Sequence, residues 1–345
     1  MTSNDILAAP GTRPFPGSEL SVRVAGDPHA ESFFHYGLAS VQCVIDALAG
    51  VGRSFQDYEH ILDFGCGCGR MLTWLEPLAE RGASLHGTDT DADAITWMRE
   101  NLAFATSNVN DPLPPTSYED GQFDLVYNHS VFTHLDEERQ DAWLLELRRI
   151  TRVGGHLVLT VHGEHAFAQY ENAMINNSGD AIDEREIYSG LGFLFMPDKG
   201  WEDKGFPEWY GGAYHATSYV FSHWSRWFRI KAYLPQGALN FQDIVVLERV
   251  RDGEHHGEYL RRPMSAIRPP AGNGSSPGAQ ARAQAALARA EQLLARGPDT
   301  SSPSRLGNPG NAWRHALGKL IANYAAHERQ VDEALIEAVR AQIEQ

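Results

Sequence analysis

Glu59-His-Ile-Leu-Asp-Phe-Gly-Cys-Gly-Cys-Gly-Arg70 is the stretch that decides how the rest of the chain is read. Ile61, Leu62 and Phe64 supply a short buried strand. Gly65, Gly67 and Gly69 alternate through a turn, where backbone without a Cβ can approach a ligand closely. Met71, Leu72, Trp74, Leu75 and Leu78 then recur at helical spacing, which predicts a helix leaving the turn. Its first N–H groups would point back at whatever lies on the loop. A glycine run alone also fits a tight strand-to-helix turn in any α/β protein. Two details add weight. Asp63 stands at the strand's end, and the glycines alternate instead of following the dinucleotide GxGxxG spacing.

Downstream, short strands alternate with helical segments. Ala83–Asp89 reads as a second strand ending in an acid, and Thr90, Asp91 and Asp93 offer a cap for a helix over Ala94–Leu102. Phe104–Val109 reads as a third strand, followed at once by Asn110-Asp-Pro-Leu-Pro-Pro. Phe123–Asn128 is a fourth. The helix Asp136–Ile150 opens with acids and closes on Arg148 and Arg149, as the helix dipole prefers. Gly154–Val161 is a glycine turn and a fifth strand. This alternation predicts a doubly wound α/β fold on a parallel sheet. Right-handed crossovers bring every strand's C-terminal end to one rim. Gly65, Asp89, Asn110, Asn128 and His162 all fall at such ends.

Motif 63–70, Asp89, the Phe123–Leu135 block and the Gly154-Gly155 strand together resemble the class I S-adenosylmethionine-dependent methyltransferases, over roughly residues 35–250. Val153 stands where that family commonly has proline, which alters only the turn. The resemblance implies a seven-stranded, mostly parallel sheet whose last strand is antiparallel. Arg229–Leu234 and Phe241–Arg249 would be its final two strands. Asn240 and Gln242 are second-tier site candidates at the rim. S-adenosyl-L-methionine is the implied cofactor. Asp63, Gly65, Cys66, Gly67, Gly69 and Arg70 would form its loop, with Asp89 on the ribose hydroxyls and Thr90 beside it. Asn110 or Asp111 would read the adenine edge, Asn110 being favoured because Pro112 turns the chain away; an Asx turn is the alternative. Asn128 and His129 would sit near the methyl. In a helix over Ser32–Leu48, capped by Ser32, His35 and Tyr36 would close over the cofactor or simply pack.

Methyl transfer from a sulfonium is an in-line displacement that needs alignment and exclusion of water. A hydroxyl acceptor also benefits from a general base, for which histidine is suited. His162 ranks first and His129 second; His134, which could cap the next helix, and His215 are further rim candidates. No metal site is expected. Cys66 and Cys68 flank Gly67, but no second cysteine pair completes a metal set, and with Cys43 they give no disulfide framework.

Residues 163–213 are too long for a plain connection. The segment is aromatic, with Phe193, Phe195, Trp201, Phe206, Trp209 and Tyr210, and reads as a substrate-binding lid or as an excursion with its own small core. Ser218–Phe228 reads as a helix. Residues 1–30 read as an arm over the surface and 251–278 as a Pro/Gly/Ser-rich linker. Within 279–345, a stripe from Trp313 to Val339 needs a partner: its own domain or a second copy. The formal net charge is -16 and the pI about 5.3, which disfavours nucleic acid as substrate. No run approaches a membrane span, so a soluble, cytoplasmic protein is expected. The acceptor expected is a sugar or glycan hydroxyl, or else the N or O of a small natural product. An adenosyl-binding scaffold without catalysis, acting through the C-terminal helices, is the reading from another class.

Overall fold

The computed structural model describes residues 7, 13–178, 182–197 and 209–251. Chain contacts divide it into two units, 1–172 with 195–258 and 173–194 with 259–345. The first holds the sheet and the rim. Of the second, the described part is the end of α6, α7 (Ile182–Leu191) and Phe193–Leu194. The linker and the C-terminal helices expected after residue 251 lie outside the described residues, as do Trp201 and Phe206.

Seven strands form one sheet in the order β3-β2-β1-β4-β5-β9-β8. They are β1 (His60–Phe64), β2 (Ser84–Asp89), β3 (Ala105–Val109), β4 (Phe123–Tyr127), β5 (Thr151–Val161), β8 (Arg229–Ala238) and β9 (Gln242–Glu248). Pairing is parallel from β3 through β5. β9 runs antiparallel between β5 and β8, so the sheet has the expected form. β6 (Phe193–Pro197) and β7 (Gly211–His215) make a separate two-stranded sheet.

The period of two along the central strands sorts side chains to two faces. Ile61, Leu125, Tyr127, Val158, Ile244 and Val246 pack into one core with Val41, Val44 and Leu48 of α2 (Ala30–Gly50). On α5 (Glu137–Ile150), Trp143, Leu144 and Leu147 are buried, and Trp143 meets the Phe64 ring at 4.7 Å between centroids. Asp124 ties the entry of β1 to β4: its carboxylate accepts from Glu59 N and His60 N, both at 2.9 Å.

Several boundaries differ from the sequence reading. The helix expected after Gly69 is a 3-10 turn over Leu72–Trp74 and then a short α3 (Glu76–Glu80). Pro77 is the reason: it fits a first turn but not a helix interior. The glycine loop therefore does not abut the N-terminus of a full helix. α2 starts two residues early, with His29 at its N-cap in place of Ser32. Within the expected arm, Ser18–Ala25 is a helix, α1, closed by Gly26 in the left-handed region. β5 begins at Thr151, and Gly154, at φ 79°, sits inside it instead of before it. The single helix expected over 218–228 is α8 (Thr217–His223) followed by a 3-10 turn. β8 runs on to Ala238 past Pro235, which an edge strand with a register shift tolerates. The first half of the insertion is helical, α6 (Glu164–Ser178) and α7.

Candidate functional site

The glycine loop is built by backbone that side chains would obstruct. Gly65 and Gly67 have φ of 76° and 53°. A Cβ on Gly65 would overlap the Val131 side chain, and one on Gly67 would stand 2.5 Å from Val24 Cγ1. The loop after β4 and helix α1 therefore both rest on it. Gly65 N and Cys66 N donate to Thr88 O at 2.8 and 3.1 Å. Gly69 lies against Leu102 and Met98. Burial holds the Cys66 and Cys68 thiols neutral, Cys68 pushed up to about 12. Cys66 Sγ lies 3.6 Å from Met98 Sδ, which makes it packing.

Asp89 ends β2 and grips the loop. Its Oδ2 accepts from Gly67 N at 2.7 Å and its Oδ1 from Asp91 N at 2.9 Å. The Thr90 backbone N–H adds a third bond, and of a carboxylate's roughly four lone-pair sites acceptor capacity remains for a ribose hydroxyl. Thr90 is exposed beside it. Asp91 caps α4 (Ala92–Asn101), accepting from Asp93 N and Ala94 N, so one of the three polar residues after Asp89 is a cap.

Asp63 lies opposite Tyr127 in the β1–β4 register. It is 2 % exposed, and its Oδ2 meets no hydrogen-bond donor among the described residues. Burial pushes its carboxyl up to about 8; the Tyr127 hydroxyl and Arg70 oppose the rise and Asp89 adds to it. Arg70 is itself lowered by burial, against the pull of Asp63. His129 is pushed down to about 3 by burial and by the Arg70 charge. Arg70 is thus within electrostatic reach of both Asp63 and His129. Helix α2 reaches Arg70 through Gly37, where a Cβ would overlap the Arg70 carbonyl. Tyr36, beside Gly37, is 44 % exposed.

Not every strand-end candidate faces a ligand. Asn128 is fully buried, its Oδ1 accepting from Thr160 N at 2.9 Å and its N donating to Val158 O at 3.0 Å. Those bonds fasten β4 to β5. Asn110 Oδ1 accepts from Thr88 Oγ1 at 2.8 Å and its Nδ2 donates to Asp111 O at 2.8 Å. Asn110 and Asp111 line a cavity of about 210 Å³ with Thr88, Asn108, Thr116 and Tyr118. Asn240 sits in the β8–β9 turn at φ 57°, and the Gln242 amide donates to Ser130 Oγ.

Past the loop, neutral rings gather at the ends of β4, β5 and β7. His162 stacks on Tyr214 at 5.3 Å and 27°, and its ring meets Phe241 at 5.4 Å. A backbone bridge joins His162 to Tyr214, so β7 continues beside the end of β5. His134 stacks on Tyr210 at 4.2 Å and 16°, and lies 6.1 Å from His162. Burial lowers His134 to about 4 and His162 to about 3, the latter also by His134. His215 is a core residue: it is fully buried and bonded to Gln140 Oε1 at 2.9 Å.

The sequence reading missed Tyr127, Val24 and Tyr214. Tyr127 was visible as a same-face register partner of Asp63 once β1 and β4 are paired. Val24 and Tyr214 carry no local signal.

A buried carboxylate oxygen without a donor, beside a glycine loop and a second strand-end carboxylate, calls for a cation and a pair of hydroxyls together. The methionine ammonium and the ribose of S-adenosylmethionine supply that set. The fold is that of the class I, Rossmann-like methyltransferases. Residues 62–159 match the family model of the methyltransferase domain, so that segment is a methyltransferase domain, which implies S-adenosylmethionine as its cofactor. Similar solved structures include magnesium protoporphyrin IX methyltransferase from Synechocystis PCC 6803 with bound S-adenosylhomocysteine. That pair is 18% identical, covers 67% of this chain and 93% of the other, and has a TM-score of 0.44. A TehB-like methyltransferase from Corynebacterium glutamicum gives 18%, 61% and 87%, and 0.36. The complex of the Haloferax volcanii Trm112 activator with a methyltransferase partner gives 13%, 68% and 96%, and 0.42.

Proposed function

We propose that the enzyme methylates a hydroxyl of a sugar or glycan. When bound, the cofactor supplies an electrophilic methyl group on sulfur. In this reading the glycine loop holds the methionine portion, Asp63 pairs with its ammonium, and Asp89 takes the ribose hydroxyls. Arg70 and His129 close the floor behind the methyl, Tyr36 covers it, and Asn110 stands at the adenine side with Thr90 on the outer edge. The acceptor lies against the rings carried by the β5 end and β7.

The observation that carries the acceptor reading is the makeup of that cluster: Tyr210, Tyr214, Phe241, His134 and His162 bring uncharged rings together. Flat apolar faces with polar edges suit the C–H face and hydroxyls of a sugar ring. A neutral imidazole takes the acceptor's proton; His162, at the β5 end, stands in this cluster. His129 is poorly placed to gain a proton, since Arg70 already puts a positive charge beside it. The three cysteines are unpaired, which supports a reducing, cytoplasmic setting. Self-association through the stripe beginning at Trp313 belongs to the same reading.

The test is methyl transfer from labelled S-adenosylmethionine to methyl hexopyranosides, short glycans, phenols and amines in parallel. Turnover of a sugar hydroxyl supports the reading. Preference for an amine or a phenol replaces it with the natural-product reading, and cofactor binding without turnover of any acceptor points to a scaffold.

A further inference from the structure

The hydrogen bonds among the rim histidines are not alike, and one of them fixes a tautomer. His134 Nδ1 lies 2.9 Å from the carbonyl oxygen of Gly211. A carbonyl only accepts, so Nδ1 carries the proton. A neutral ring protonated at Nδ1 has its lone pair at Nε2, the distal nitrogen. The Tyr210 ring stacked on His134 fixes its plane. The strand that supplies the carbonyl, β7, is anchored in turn: His215 N donates to His162 O at 2.7 Å, and Gly211 packs so closely on Met196 and Phe195 of β6 that a Cβ there would overlap backbone.

Resting on the reading of a hydroxyl acceptor, we propose that His134, through Nε2, is the general base of this enzyme, and that Gly211 of the insertion sets its tautomer. His162 then acts as a wall against which the acceptor ring lies. In the transfer, the acceptor O–H bond breaks and its proton passes to His134 Nε2. The oxygen's electron pair forms the bond to the methyl carbon. The carbon–sulfur bond breaks with its pair going to sulfur, which ends as a neutral thioether.

Three observations separate His134 from the other rim histidines. His215 is committed to Gln140, whose own Nε2 donates to Phe132 O and Leu135 O at 2.9 Å each. His129 has the Arg70 charge beside it. Backbone carbonyls favour the charged forms of His134 and His162 alike, Gly211 for the one and Ala213 for the other, but His162 Nδ1 meets no hydrogen-bond partner among the described residues, so the proton at Nδ1 is fixed on His134 and not on His162. The link to the cofactor loop is direct in sequence and space: Val131, three residues before His134, lies on Gly65.

The geometry gives a pair of variants that separates chemistry from support. His134→Asn keeps a donor at the Nδ1 position and loses Nε2. His134→Gln keeps a polar atom near Nε2 and loses the bond to Gly211. The proposal expects His134→Asn to fold, to bind S-adenosylhomocysteine with wild-type affinity, and to lose about 10²- to 10⁴-fold in kcat on the sugar acceptors that the wild type accepts, with KM little changed. The second readout needs no turnover. In full-length protein labelled with ¹⁵N-histidine, the signal absent from His134→Asn should be that of a neutral ring protonated at Nδ1 at pH 7. His134→Asn keeping kcat within about threefold of wild type would overturn the assignment. So would an Nε2-protonated ring or an imidazolium at pH 7. Wild type that methylates no hydroxyl overturns the function reading and this one with it; wild type and His134→Asn methylating alike overturns this one alone.

Discussion

Replacing Asp63 with asparagine tests the cofactor site at its most unusual group. The Asp63 carboxyl is pushed up to about 8, chiefly because burial disfavours the charge. At pH 7 only about one molecule in ten then has the carboxylate ready, and at pH 6 about one in a hundred, so the apparent dissociation constant is weakened by those factors. Pairing with the ligand's ammonium ionises it. Binding of S-adenosylmethionine should therefore release close to one proton at pH 7, and affinity should tighten about tenfold per pH unit between pH 5.5 and 7.5. Above about pH 8 the gain stops, because Asp63 is by then ionised without the ligand and the ligand's own amino group begins to lose its charge. Calorimetry in buffers of different ionisation enthalpy measures the proton count directly. Asp63→Asn is nearly isosteric and cannot ionise, so it should bind more weakly, release no proton and show a flat pH profile over the same window. The same substitution carries a stability signature. A carboxyl raised in the folded state contributes stability below the unfolded value near 4 and loses it as the pH passes through about 8. Denaturant midpoints of the wild type should fall across that window, and those of Asp63→Asn should fall less. Equal proton release and parallel pH profiles in the two proteins would refute the reasoning.

Asp89→Ala should lose cofactor affinity by at least tenfold with the fold kept, since two hydroxyl acceptors vanish; unchanged calorimetric affinity would sink the ribose assignment. Gly37→Ala sets a helix-propensity gain of about 1 kcal/mol against a Cβ forced onto the Arg70 carbonyl and 2.9 Å from its Cγ. Backbone cannot yield cheaply, so a net loss of about 1–3 kcal/mol is expected in urea unfolding, and a stabilised protein would contradict the close approach of α2. Asp124→Ala strips acceptors from Glu59 N and His60 N. About 1–3 kcal/mol per orphaned group is the cost, read as a lowered Tm in the apo protein.

The alternation from β1 to β5 was legible because each strand is short, apolar and ends in a glycine or polar residue. The antiparallel run of β9 followed from the family resemblance and not from the strand pattern. A cap among Thr90, Asp91 and Asp93 was readable because the helix after them needs a side-chain acceptor; that Asp91 is the one took the structure. Other parts were not readable. Met71–Leu78 has helical spacing, but Pro77 interrupts it. Ser18–Ala25 has little apolar patterning, yet tertiary contact makes it a helix, with Val24 over Gly67 and Arg23 paired to Asp91 and Asp93. Asn128 has the residue type of a ligand contact, and its bonds to β5 put it inside the sheet.

Sequence alone determined that Gly65, Asp89, Asn110, Asn128 and His162 stand at strand ends, because strand polarity and right-handed crossovers leave one rim for them. It also put a glycine loop and two strand-end carboxylates there. Only the tertiary structure decided what each side chain does there. The partners that set those roles come from far along the chain: Tyr127 beside Asp63, Gly211 on His134, Gln140 on His215. A hydrogen bond or a burial shift depends on which atoms meet in space, and local spacing says nothing about contacts across 75 or more residues, as between His134 and Gly211 or His215 and Gln140.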